Sequence, residues 1–348
     1  MRKQGVLLVN LGTPDSPSVS DVRKYLGEFL MDERVIDINP INRALLVKGI
    51  IVPFRSPKSA KIYKEVWTEN GSPLLYYSIR QKEMLQEKLG NSYVVELAMR
   101  YQSPSIKTAL DSLKKQQVDS IRVVPLFPQY ASASTGSVIQ KVMELVGKWQ
   151  TIPDISFVNS FHNDEGMIEV FADNARKYNP DSFDHILFSF HGLPERQLIK
   201  ADHSGKYCLQ TPNCCSRLND VNRFCYSAQS HDTARLIAEK LNLPKERYTV
   251  CFQSRLGNSP WKKPYTIEVL EELAKKGLKR LLVFSPAFVA DCLETNIEIA
   301  REYHEEFRNW GGEKVQLVES LNDNPKWIDA LEAIVLAKQQ KPVFQSVK

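Results

Sequence analysis

The chain alternates short, unbroken apolar runs with longer stretches whose apolar residues recur at helical spacing. Residues 5–10, Gly-Val-Leu-Leu-Val-Asn, are such a run. A strand covered on both faces of a parallel sheet needs just this kind of continuous apolar segment. Similar runs predict strands at 94–99, 121–127, 155–158, 186–190, 248–253, 280–284 and 315–318. Between them lie amphipathic helices. Val22, Tyr25, Leu26, Phe29 and Leu30 fall on one face behind a Ser18 or Ser20 cap; Ile106, Ala109, Leu110 and Leu113 mark another face, and Val138, Val142, Leu145 and Val146 a third. Residues 267–276 form a helix that stops at Gly277, and 327–337 form the last one. Strand and helix in regular alternation predict an α/β fold built on parallel sheets.

The order repeats. Four strands precede residue 160 and four follow it, and the turns correspond: Leu11-Gly12-Thr13-Pro14 matches His191-Gly192-Leu193-Pro194, and Leu126-Phe127-Pro128 matches Phe284-Ser285-Pro286. Two similar Rossmann-type lobes are expected, residues 1–160 and 161–324, with a cleft between their carboxyl edges. Residues 325–348 are expected to form a helical tail that lies back on the first lobe. The second strand arrives only after about eighty residues, far beyond an ordinary crossover. Residues from about 12 to 92 therefore form a largely helical insertion in the first lobe, and insertions at this edge usually serve binding.

Composition narrows the class. The chain has 348 residues, 43% hydrophobic and 25% charged, with a net charge of +5. Its Lys and Arg residues are dispersed, which argues against a dedicated nucleic-acid binder and suits an acidic small molecule or an anionic membrane surface. The first apolar run is too short for a signal peptide, and the stretch from Ala44 to Phe54 falls short of the roughly 18 residues that span a bilayer. A cytoplasmic protein is expected. Four of the six cysteines, Cys208, Cys214, Cys215 and Cys225, form the pattern C-x5-C-C-x9-C in a second insertion at about 203–226. That crowding reads as metal binding rather than as a secreted disulfide frame. No Rossmann glycine fingerprint follows the first strand and no Walker A pattern occurs, so dinucleotide and nucleoside triphosphate chemistry are disfavoured.

Two segments carry candidate chemistry. In Ser189-Phe190-His191-Gly192-Leu193-Pro194 the imidazole sits at the carboxyl end of a buried strand, where open α/β sheets bind ligands. In Asp291-Cys292-Leu293-Glu294-Thr295 the carboxylate of Glu294 falls in the first turn of a helix, favoured there by the helix dipole. One neutral nitrogen and one anionic oxygen can hold a divalent metal loosely, or move protons near neutral pH. The competing reading is a turn histidine and a helix-capping acid.

Taken together, the motifs resemble those of the ferrochelatases. The resemblance rests on residues 9–14 (Val-Asn-Leu-Gly-Thr-Pro), 70–74 (Asn-Gly-Ser-Pro-Leu), 128–130 (Pro-Gln-Tyr) with 134–137 (Ser-Thr-Gly-Ser), 189–194, 253–257 (Gln-Ser-Arg-Leu-Gly) with Pro260-Trp261, and 291–295. It implies a chelatase-like fold and an iron-inserting lyase. Ferrous iron and protoporphyrin IX would give protohaem and two protons, the last step of haem biosynthesis. The alternatives are coproporphyrin III as substrate, or a tetrapyrrole carrier without turnover. By the same resemblance His191 accepts pyrrole protons, Glu294 holds or delivers Fe²⁺, and Arg100, Tyr101, Tyr130 and Trp261 contact the porphyrin. The long insertion becomes a lip around the macrocycle. Its apolar stretch (Leu45, Leu46, Val47, Ile50, Ile51, Val52, Phe54) either shields the porphyrin and touches a membrane surface, or packs as an ordinary core helix. Many relatives carry a histidine where this chain has Cys292. The four crowded cysteines resemble internal ligands of a [2Fe-2S] cluster, with one zinc ion or plain thiols as the other readings. Their distance from His191 in sequence suggests a structural or sensing role.

Overall fold

The computed structural model describes residues 3–255, 257 and 259–337. Leu256 of the 253–257 motif, and the tail beyond 337 that the sequence joins to the last helix, lie outside these residues. The strands expected from the apolar runs form: β1 (Gln4–Gly12), β2 (Tyr93–Tyr101), β3 (Ser120–Pro125), β4 (Asp154–Phe157), β5 (His185–His191), β6 (Tyr248–Gln253), β7 (Arg280–Phe284) and β8 (Lys314–Leu317). They make two parallel four-stranded sheets, ordered β2-β1-β3-β4 and β6-β5-β7-β8. The two orders are the same when each sheet is numbered from its own first strand, which is the predicted repeat.

The helices are α1 (Val19–Met31), α2 (Pro40–Ala44), α3 (Val52–Val66), α4 (Pro73–Leu89), α5 (Ile106–Lys115), α6 (Ser137–Val146), α7 (Glu165–Arg176), α8 (Glu195–Lys200), α9 (Tyr226–Lys240), α10 (Thr266–Lys275), α11 (His304–Asn309) and α12 (Pro325–Leu336). Among the described residues none is long and apolar enough to cross a membrane.

The chain divides into two compact units. Among the described residues, one comprises 3–127, 131–160 and 290–293; the other comprises 128–130, 161–255, 257, 259–289 and 294–337. In the first unit Leu7, Val9, Ile121 and Val123 of the sheet pack against Ile106, Leu110 and Leu113 of α5 and Val138, Val142 and Val146 of α6. Each such side chain stabilises the fold by about 1.5–3 kcal/mol when fully buried. In the second unit Leu187, Leu281, Val283 and Val315 meet Val269 and Leu270 of α10 and Phe307 of α11.

Two expectations change. The apolar stretch 44–54 is neither a loop-broken piece nor a core helix. After α2 it forms a π-helix, Leu45–Ile51, that runs directly into α3 through Pro53 near its first turn, where a missing N–H costs little. Val47 and Val52 pack into a cluster with Val22, Leu26 and Leu30 of α1, while Leu45, Ile50 and Phe54 point outward. The described part of the last helix also differs from expectation. Within the second unit α12 packs on α7: Trp327 is fully buried with its ring 5.9 Å from that of Phe161, and Lys326 bonds Asp173 at 2.6 Å. The helix that was expected to lie back on the first lobe therefore belongs to the core of the second unit.

Candidate active site

In an open parallel sheet, the place where strand order reverses leaves room between two loops that leave on opposite faces. In the second unit β5 lies between β6 and β7, so the reversal falls between β5 and β7. His191 ends β5. Its Nδ1 lies 2.8 Å from the Gly192 carbonyl, which can only accept, so Nδ1 carries the proton and Nε2 keeps a free lone pair. The turn behind it is clamped. Gly192 N–H donates to Gln253 O at 2.8 Å, Lys262 N–H donates to Leu193 O at 2.9 Å and Glu195 N–H donates to Pro260 O at 3.0 Å. A side chain at Gly192 would collide with the Gln253 carbonyl at 2.8 Å and press on the Trp261 ring at 3.2 Å. Trp261 thus stands against the His191 turn.

Glu294 comes from the connection that leaves the neighbouring strand β7. The helix starts three residues later than expected and is a π-helix, Glu294–Tyr303. Such wide turns are concentrated at functional sites. Glu294 is half-buried at its first position. Glu298, which sequence reasoning passed over, is fixed on the same π-helix: it accepts from Ser254 N–H at 3.0 Å, Ser254 Oγ at 2.6 Å and Tyr303 Oη at 2.8 Å. Burial first, and the Glu298 carboxylate second, push the Tyr303 phenol well above its usual range. Among the described residues no hydrogen bond joins His191 to Glu294, and no three His, Cys, Asp or Glu side chains surround one point closely enough to hold a metal ion.

The first turns of α9 form a hub that the sequence did not advertise. Tyr226 Oη donates to His191 O at 2.8 Å, Gln229 Oε1 accepts from Tyr130 N–H at 2.7 Å, and Thr233 Oγ1 accepts from Gln129 Nε2 at 3.0 Å. Tyr226 is buried, so its phenol is held neutral well above the ordinary range. Tyr130 is half-buried, with its ring edge-on to Phe224.

Tyr101 takes another role than expected, and Arg100 is held in an ion pair. Tyr101 has no exposed surface; its ring packs edge-on against Phe29 and its hydroxyl donates to Asp32 at 2.9 Å. It is a core side chain, since alternation along β2 turns it inward. Arg100 pairs with Asp32 through Nη2 at 2.6 Å and donates from Nε to Ser137 Oγ at 2.6 Å. Burial alone would raise the Asp32 carboxyl, but the Ser137 hydroxyl, the Arg34 amide and the Arg100 guanidinium outweigh it and hold the group below the usual range.

The four clustered cysteines meet in pairs, but among the described residues no three of them surround one point closely enough to hold a metal ion. Cys214 and Cys215 sulfurs lie 3.7 Å apart, and Cys225 is bonded to both Cys208 and Cys215. The loop that carries them is knitted by two polar side chains: Asp202 accepts from the amides of Tyr207 and Cys208, and Asn222 donates to the carbonyls of Cys214 and Arg217, all at 2.8 Å. Backbone amides of Leu209 and Ala228 are directed at the sulfurs of Cys214 and Cys225. The hydrogen bond shared with Cys208 leads the causes that raise Cys225 to about 11, and the same bond lowers Cys208. Cys225 immediately precedes Tyr226, which holds the His191 carbonyl, so the loop adjoins the His191 turn despite its distance in sequence.

Comparison with known proteins follows the same lines. The family model described as Ferrochelatase matches residues 3–339. A ferrochelatase of Legionella pneumophila (strain Lens) is 46% identical over 333 residues, covering 96% of this chain and 98% of the relative. One from Coxiella burnetii (strain Dugway 5J108-111) is 44% identical over 343 residues, covering 98% and 95%. Among solved structures, SirB from Bacillus subtilis with Fe3+ aligns with a TM-score of 0.50 at 15% identity, covering 96% of this chain and 94% of that one. That likeness concerns the fold alone.

The Arg100–Asp32 pair generates a prediction. Arg100→Ala leaves a buried carboxylate short of its counter-charge and should cost about 3 kcal/mol in urea unfolding. Because folding lowers the Asp32 pKa, its contribution is complete above the unfolded value of about 3.9 and is lost as pH falls through the lower folded value. Unfolding curves at neutral pH and in mild acid should show that Asp32→Asn has a smaller difference between the two than the parent chain.

Proposed function

The chain belongs to the ferrochelatase family, lyases that insert iron into a porphyrin in haem synthesis, and from that premise we propose that His191 and Glu294 carry the insertion. The observation that supports this most directly is the His191 tautomer: Nδ1 is committed to Gly192 O, so Nε2 is the basic atom. A porphyrin loses two N–H protons as Fe²⁺ enters. One imidazole takes one proton at a time and must pass the first on before accepting the second. On protonation both ring nitrogens become donors; Nδ1 keeps its bond to Gly192 O, so the ring turns little between the two states. Glu294, across the β5/β7 reversal, is the carboxylate we assign to Fe²⁺. A single carboxylate and water hold a ferrous ion loosely enough to release it to four pyrrole nitrogens, whereas a closed four-ligand cage would retain it. Trp261 and Tyr130 are proposed to contact the macrocycle, and Arg100, half-neutralised by Asp32, to face a propionate.

We take protoporphyrin IX as the substrate and the insertion at about 12–92 as the lip that handles it. The exposed side chains Ile41 (71%), Leu45 (68%), Ile50 (58%) and Phe54 (80%), with Lys48, Arg55 and Lys58 among them, form an apolar surface edged with cations. That combination suits peripheral contact with an anionic bilayer on the cytoplasmic side. Protoporphyrin, with two carboxylates, partitions into such a surface, while coproporphyrin, with four, stays in water.

We further propose that Cys208, Cys214, Cys215 and Cys225 hold a [2Fe-2S] cluster. What supports this is the chain of paired thiols with amides aimed at the sulfurs, since such a cluster takes two ligands on each iron and is tuned by hydrogen bonds to sulfur. When bound, the cluster would supply a covalent cross-link of the 208–225 loop and a one-electron couple; the insertion chemistry described above uses neither.

Three outcomes test these readings. His191→Ala should lower kcat for anaerobic iron insertion by on the order of 10²–10⁴-fold while porphyrin affinity stays near the parent value; equal loss of both would favour a carrier. Anaerobically purified protein should show visible charge-transfer absorption, with iron and acid-labile sulfide at about two each per chain, and Cys214→Ser should abolish both; zinc without sulfide would overturn the cluster. In sedimentation with anionic vesicles, Leu45→Glu combined with Phe54→Glu should weaken binding about tenfold or more; parent-like binding would remove the lip from the membrane.

A further inference from the structure

A cavity of about 640 Å³ opens in the second unit beside Cys214 and Cys215, and neither His191 nor Glu294 lines it. Besides Arg235, four cations line it: Arg217, Lys245, Lys262 and Lys263. Among the described residues none of the four is paired with a carboxylate. Lys245, Lys262 and Lys263 instead stand over the rings of Tyr248, Phe252 and Tyr265. The acid in the wall, Asp232, is already taken by Arg235 at 2.6 Å and by His162 at 3.4 Å, and Arg235 is shared with Glu239.

Unopposed charge of one sign in a concave, partly apolar wall is costly unless something neutralises it, and it concentrates counter-ions there. All four cations line this one cavity. His231, which lines the same cavity with Nδ1 buried and unbonded, is drawn down to about 4 by burial and then by Lys262 and Lys245. It therefore adds no charge at neutral pH. Lys262 also favours the ionised forms of Cys214 and Cys215, so that lysine is accounted for by the thiols. Arg217, Lys245 and Lys263 remain, all exposed at the rim. Between them the wall is apolar, with Leu218, Ala228 and Val250, and the volume exceeds what an inorganic ion fills.

We propose that this cavity binds a small organic polyanion, an apolar or aromatic body bearing at least two negative charges. Phosphate and carboxylate groups meet the same three cations, so the shared chemistry is multiple anionic oxygens on a body that covers the apolar wall. The proposal stands apart from the insertion site and does not depend on how that site works.

The test is isothermal titration of the full chain at about 50 mM ionic strength, where surface charge is weakly screened, with two probes, metal-free adenosine triphosphate and benzene-1,3,5-tricarboxylate. At least one should bind saturably, about tenfold more weakly in the Arg217→Ala, Lys245→Ala double variant. Lys263→Ala provides a second, single-site reading of the same loss, and all three substitutions are at exposed positions where the melting temperature should not change. The probe that binds identifies phosphate or carboxylate as the preferred group. Absence of saturable heat from both probes, or parent affinity in the double variant with the fold intact, overturns the proposal.

Discussion

The reversal of strand order between β5 and β7 is the constraint on which the site depends. Both strands run the same way, so their carboxyl ends share an edge, yet their outgoing connections must leave on opposite faces. Backbone cannot fill the gap that this creates. Whatever stands on either side of it is brought within reach of one ligand without a single hydrogen bond between the two. His191 ends one strand and Glu294 opens the π-helix that follows the other. A direct His–Glu bond would satisfy both groups and leave neither free to act.

A second layer keeps the imidazole in register. The His191 main chain is tied sideways to β6 through the Gly192 amide and from behind by the Tyr226 hydroxyl, while its ring is oriented by the Gly192 carbonyl. Tyr226 is the first residue of α9, and Cys225 is that helix's cap. The cysteine loop is therefore built into the support of the histidine. An insertion that looked detachable in the chain is mechanically one residue away from the group that holds the His191 carbonyl, and ordering of that loop and ordering of the His191 turn share the start of α9.

Legibility followed the physics of each signal. Strands covered on both faces must be apolar throughout, so runs such as Val6-Leu7-Leu8-Val9 announced themselves, and the duplicated order of runs gave both sheets. His191 was legible because a glycine and a proline end its strand abruptly. Tyr226, Gln229 and Thr233 were not, because a polar residue near a helix start reads as exposed until the fold supplies the carbonyl or amide it meets. Tyr101 was misjudged for the converse reason: it follows Arg100 at a strand end, and nothing local says that Phe29 and Asp32 will close over it. The last helix carried an apolar face whose partner sequence cannot name, and Trp327 found α7. The stretch 44–54 was half legible: its apolar residues were plain, but composition does not encode its winding as a π-helix through Gly49 that continues into α3 at Pro53.

The duplication shows which parts of the architecture are structural and which are chemical. Gly12 closes β1 against Tyr101 of β2, with a backbone φ of +117° and no room for a side chain; Gly192 closes β5 against Gln253 of β6 in the same manner. Each glycine lets the chain turn sharply off the central strand at the reversal, so both sheets need it whatever they bind. The residue just before it is where the two copies diverge. In the first unit it is Leu11, which packs with the α1 cluster and starts the long insertion; in the second it is His191, whose ring is turned outward by its own backbone neighbour. The same strand end thus carries an aliphatic side chain packed into a cluster in one unit and an imidazole bonded to its neighbouring carbonyl in the other, and that change of side chain requires no change of fold.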